Sequence, residues 1–160
     1  MDQALLQRLT TLEGESAVRR LMARYMDLCD VPRAPTRVSD LAELFCIDAI
    51  WEGIGSQTAQ TFGQHHGREA VAAFVGGYLP PSEHFRLNLH CLTSESIRVD
   101  GETAQGQWIM QQISTYADGR SEWFGTRLNI DFRCVDGLWL IAHFRTQRLF
   151  NMNLGTEACA

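Results

Sequence analysis

His90 and Asp30 are the side chains of this chain whose types and placement suit proton transfer. The stretch "RLMARYMDLCDVP" from Arg20 to Pro32 carries two aspartates on a helical pattern. With Val18 at zero and about 100° per residue, Leu21, Met22, Tyr25 and Cys29 fall within about 60° of it and form one apolar stripe. Asp27 falls near 180°, toward solvent, and Asp30 near about 120°, at the lip of the stripe. Asp30 also closes the helix, because Val31-Pro32 forces extended backbone. A carboxylate is disfavoured at that end of the helix dipole, so Asp30 is either leaving the fold or meeting a partner. A partner is available in "LNLHCLTSESIRVDG", where His90 sits mid-strand between largely apolar faces. Two readings of His90 stand side by side. It is a buried histidine satisfied by a neighbouring carbonyl or hydroxyl, or it is a base oriented by Asp30. In the second, the carboxylate holds the Nδ1–H tautomer, leaves Nε2 to accept a proton, and then stabilises the imidazolium.

These residues need a helix facing a sheet, and the order of patterns supplies both. Leu5, Leu6, Leu9 and Leu12 predict a short N-terminal helix or arm over 1–14, ending near Gly14. Ser16 is a candidate N-cap for the next helix, through about Cys29, and Ser39 for a short third helix in "DLAELF". "DAIWEGIG" predicts a first strand, residues 56–67 a polar loop, and "REAVAAFVGGYL" a fourth helix that Pro80-Pro81 closes. Beyond it the period changes to two. Asp-Gly occurs at 100–101, 118–119 and 136–137, each 18 residues from the next. Asp-Gly favours tight hairpins, so strands of about seven residues in a four-strand antiparallel meander are expected. Helices followed by one curved antiparallel sheet give an α+β fold with a pocket between the layers. Residues 150–160 are expected to be a flexible tail.

The chain has 160 residues, about one domain, with 45% hydrophobic and 21% charged residues. A net charge of −5, with no basic run interleaved with aromatics, argues against a nucleic-acid partner. The N-terminus shows no secretory pattern, and no apolar run approaches the roughly 20 residues that span a bilayer. Cysteines 29, 46, 91, 134 and 159 are scattered singly, the pattern of small buried hydrophobes in a reducing cytosol, so a cytoplasmic location is expected. Neither a metal site nor a cofactor motif is expected. His65-His66 lie adjacent, His84 and His90 are about 20 Å apart along a regular strand, and no phosphate-loop or nucleophile pattern occurs. Arg127, Asn129, Asp131 and Arg133 alternate with Leu128, Ile130 and Phe132, which suggests a polar outer sheet face that is solvated or shared between subunits.

The motifs "AVRRLMARYMDLCD", "LAELFCIDAIWEGIG", "GREAVAAFV", "LHCLTSESIRVDGETAQG" and "DGLWLIAH" together resemble the SnoaL-like branch of the nuclear-transport-factor-two-like superfamily, over about residues 15–148. That group includes scytalone dehydratase, bile-acid 7α-dehydratase, lindane dehydrochlorinase, ketosteroid isomerase and non-catalytic dioxygenase subunits. The resemblance implies a cone-shaped sheet wrapped around the helices. It also implies a His–Asp dyad at His90 and Asp30 that abstracts a proton during elimination. It makes Tyr25 a donor to a substrate carbonyl, the help an enolate-like transition state needs. Trp51 stands where the dehydratases carry a second tyrosine, and indole cannot relay a proton, so a flat apolar wall is expected there. Met22, Phe74, Trp108, Gln112, Leu128 and His143 complete the expected substrate-binding set, with an oligomer surface as the other reading of His143. The implied function is a cofactor-free dehydratase-type lyase, a homotrimer or next a dimer, acting on a small, apolar cyclic ketone or polyphenol-like substrate. An isomerase using the same proton abstraction, or an inert ligand-binding or assembly module, remains open.

Overall fold

A computed structural model describes residues 2–32 and 36–156. Four helices and six strands follow in the order α1 (Gln3–Cys29), α2 (Val38–Ala42), β1 (Phe45–Gly53), α3 (Ser56–Phe62), β2 (Gln64–His66), α4 (Arg68–Gly76), β3 (Phe85–Asp100), β4 (Thr103–Tyr116), β5 (Arg120–Val135) and β6 (Leu138–Thr156). The two expected N-terminal helices are one. Asp2 caps α1 by accepting from the Ala4 N–H, and the helix runs unbroken through Gly14. Gly14 is there for close approach rather than termination. A Cβ on it would lie 3.1 Å from Val99 Cγ1 and 3.3 Å from Trp139 Cζ2, so glycine lets the helix rest on the sheet. Only the second half of α1 is core. Val18, Met22, Tyr25, Met26, Leu28 and Cys29 are buried, while Leu5, Leu6, Leu9 and Leu12 are exposed.

The expected all-antiparallel cone is not what forms. The sheet is open, in the order β2-β1-β6-β5-β4-β3, and mixed, because β1 lies parallel to β6. A parallel neighbour needs a crossover, and the chain from β1 to β6 supplies one by way of the whole meander. The three Asp-Gly hairpins are present, with Gly101, Gly119 and Gly137 at positive φ. Their strands are 14 to 19 residues long rather than about seven, because one strand fills each 18-residue interval. β6 pairs with β5 as far as Thr156 opposite Arg120, so residues 150–156 are strand and not tail.

Two local expectations also change. Residues 56–67 hold α3 and β2 instead of a loop, and α2 is capped by Arg37 and Asp40 while Ser39 lies inside its first turn. Cys91 is exposed, unlike Cys29 and Cys46, and Cys159 lies outside the described residues. No described helix is long and apolar enough to cross a membrane.

Candidate active site

The helix-end carboxylate is held by the sheet's edge. β3 is an edge strand, so one row of its backbone groups has no strand partner. Val31, just past the end of α1, fills part of that row: its N–H donates to Asn88 O at 2.8 Å and its carbonyl accepts from Asn88 N at 2.8 Å. This bridge fixes where Asp30 leaves the helix. Asp30 Oδ1 then accepts from the His90 backbone N–H at 3.0 Å and lies 2.8 Å from His90 Nδ1. The unfavourable helix-end position is thus compensated by two donors on one oxygen. An ionised carboxylate only accepts, so Nδ1 carries the proton and Nε2 presents its lone pair. Among the described residues nothing hydrogen-bonds His90 Nε2, and His90 lines a cavity of about 390 Å³.

That cavity lies between the helices and the inner sheet face, and its floor is aromatic. Trp51 stacks on Phe144 with ring centroids 5.6 Å apart and 6° between planes, and Phe62 and Phe74 pack around it. Trp51 also donates from Nε1 to Tyr25 Oη at 3.2 Å, so its indole does more than form a wall. Burial first, then the Cys29 thiol beside it, holds the Tyr25 phenol well above its usual pKa, against the Trp51 hydrogen bond. Tyr25 therefore keeps its proton and has a hydroxyl able to donate on the cavity lining. Asn88 Oδ1 accepts from Gln112 Nε2 at 2.9 Å and from Ser114 Oγ at 2.8 Å, which orients Gln112 beside His90.

Of the expected site residues, Tyr25, Trp51, Phe74, His90, Gln112 and Leu128 line the cavity, with Asp30 behind His90. Met22, Trp108 and His143 do not. Met22 is fully buried one turn before Tyr25. Trp108 is buried in the space that Gly106 leaves open, with Nε1 donating to Glu95 Oε2 at 3.3 Å. His143 lies on the outer face. It shares parity with inward Ile141 in sequence, but a register shift between the pairs Asp131–His143 and Phe132–Ile141 reverses its side. Sequence reasoning missed Asn88, Phe62, Tyr116, Phe144, Thr146 and Arg148, which also line the cavity. The signal for the last three was available, since they alternate along one strand.

The sequence matches the SnoaL-like domain family over residues 10–145, and the chain belongs to that family. No curated protein matches it. Among solved structures it is similar to the type 2 hexachlorocyclohexane dehydrochlorinase LinA, at 17% identity and a TM-score of 0.75 over 93% of this chain and 94% of that one. LinA-type3 from Novosphingobium barchaimii LL02 is similar at 16% identity and a TM-score of 0.74, over 93% and 95% of the two chains. An NTF2-like protein with a cystatin-like fold from Novosphingobium aromaticivorans shares 23% identity with a TM-score of 0.62, over 92% and 90%. At these identities what is shared is the fold.

Proposed function

We propose that the chain is a cofactor-independent lyase of dehydratase type acting on a small, largely apolar cyclic ketone or polyphenol-like substrate. The observation that carries this is His90, with Nδ1 tied to Asp30 and Nε2 on an apolar cavity. A general base needs a ring nitrogen that the protein leaves unengaged, and that favours an enzyme over an inert binding module.

The chemistry follows from the geometry. His90 Nε2 takes the proton from the carbon next to the ketone, and the C–H electron pair becomes the enolate. Asp30 stabilises the imidazolium, and the Tyr25 hydroxyl donates to the enolate oxygen. The enolate then re-forms the carbonyl and a C=C bond as the C–O bond on the next carbon breaks. The departing hydroxide takes the proton back from His90 Nε2–H and leaves as water. An isomerase would return that proton to another carbon instead. Positioned proton transfer contributes about 10²–10⁴-fold, and one oxyanion donor about 10²–10³-fold.

The first half-reaction is testable without the natural substrate. The protein is expected to speed deuterium incorporation next to the carbonyl of 1-tetralone in D₂O, read by proton NMR, and His90→Ala to remove the effect. Equal incorporation with both proteins contradicts the base assignment. We also propose a homotrimer, with a dimer next, formed through the outer row of Arg127, Asn129, Asp131 and Arg133. A monomer mass by light scattering across the micromolar range contradicts that.

A further inference from the structure

The cavity has a second polar end, away from His90, and it is built around Arg148. In β6 this residue follows Phe144 and Thr146 on the inward face, and it pairs across the sheet with Thr126. Its backbone N–H donates to Thr58 Oγ1 at 2.9 Å, which fastens the strand to α3. Its guanidinium lies over the Phe124 ring, 4.2 Å from the centroid. Among the described residues no carboxylate or carbonyl accepts a hydrogen bond from that guanidinium.

The neighbouring charges are already committed elsewhere. Arg120 donates from Nε to Asp118 Oδ2 at 2.8 Å and covers Tyr116. Glu122 accepts from Tyr116 Oη at 2.6 Å and from Asn151 Nδ2 at 3.2 Å; it feels the Arg148 charge but makes no hydrogen bond to the guanidinium. The rings of Tyr78, His84 and Tyr116, with centroids 5.2 and 5.6 Å apart in succession, wall the same end. A planar cation with open donors, set among rings at the end of an apolar cavity, matches a carboxylate, because the fork of a guanidinium takes both oxygens.

We infer that the ligand of this cavity is a cyclic acid whose carboxylate pairs with Arg148 while its ring system lies against Trp51 and reaches His90. The guanidinium lies over Phe124 on β5, in the cross-strand row Phe124–Gln112–His90, so it stands about two strand spacings, or about 10 Å, from β3, and Arg148 and His90 bracket a ligand of one to two rings. The inference rests on the lyase reading only for which end of the substrate meets His90. The carboxylate supplies binding and orientation and takes no part in bond breaking.

The test is binding, with 6-hydroxy-2-naphthoate and neutral 2-naphthol as probes, followed by calorimetry at pH 7. The wild-type chain is expected to prefer the acid by about tenfold or more, the scale of one charge-assisted pair. Arg148→Gln should bring that preference to about one with 2-naphthol affinity unchanged, which also shows that the variant is folded. Arg148→Lys should keep part of it, since the charge remains and the fork is lost. A preference that survives Arg148→Gln overturns the inference, as does a wild-type chain that shows no preference or binds neither probe. Failure of the lyase reading looks different. The acid preference then stands in both wild type and His90→Ala, with no His90-dependent deuterium incorporation into 1-tetralone.

Discussion

Two histidines in this chain lie against carboxylates on opposite faces of one sheet, and the pairs are nearly the same length. His90 Nδ1 is 2.8 Å from Asp30 on the cavity side, and His143 Nε2 is 2.7 Å from Glu52 on the outer side. They differ at the other ring nitrogen. His143 Nδ1 accepts from Arg145 at 2.7 Å, and Arg145 in turn reaches Asp131 at 2.7 Å, so both nitrogens serve a structural network. His90 leaves Nε2 to the cavity. A histidine–carboxylate distance alone therefore does not identify a base. The unengaged nitrogen and the space in front of it do.

Substitutions can break this contrast, and their effects fall in a definite order. His90→Ala should reduce His90-dependent deuterium incorporation to the uncatalysed rate, with the thermal midpoint little changed because only a modest polar gap opens. Asp30→Asn should follow, losing up to about 10⁴-fold, since an amide can hold the wrong tautomer and cannot stabilise the imidazolium. Tyr25→Phe should cost about 10²–10³-fold in the same assay through the lost donor. His143→Ala should leave the rate within about twofold but lower stability by about 1 kcal/mol in a urea titration, because the Glu52–His143–Arg145 network loses its centre. Asp27→Asn, on the exposed side of α1 and outside the cavity lining, should move the rate by less than about twofold. Equal losses at Asp27 and Asp30 in the exchange assay would mean the helix face is misassigned.

The same contrast marks how far the sequence could be read. Asp30 was legible as a lip residue because helical angle places it beside the Val18–Tyr25 stripe, and no tertiary fact is needed for that. The meander was legible because Asp-Gly turns punctuate it at even intervals. His143 was not, because a register shift reverses parity locally and leaves no mark in the hydrophobic pattern. Gly14 misled for a related reason, since a glycine that permits close packing looks the same in sequence as one that ends a helix. The parallel β1–β6 pairing joins segments about 90 residues apart, and local periodicity carries no information at that range. Trp108 has the parity of Gln112 but sits deeper, in space made by Gly106, and alternation reports the face of a strand without the depth along it.

The most direct measurement is the protonation of the two rings, read from the imidazole nitrogen-15 shifts of the folded protein at a pH where both are neutral. His90 should show a protonated Nδ1 and a bare, pyridine-like Nε2 whose signal moves when 6-hydroxy-2-naphthoate is added. His143 should show the opposite tautomer and no movement. A protonated Nε2 on neutral His90, or an Nε2 signal indifferent to a ligand that binds, would contradict its assignment as the base.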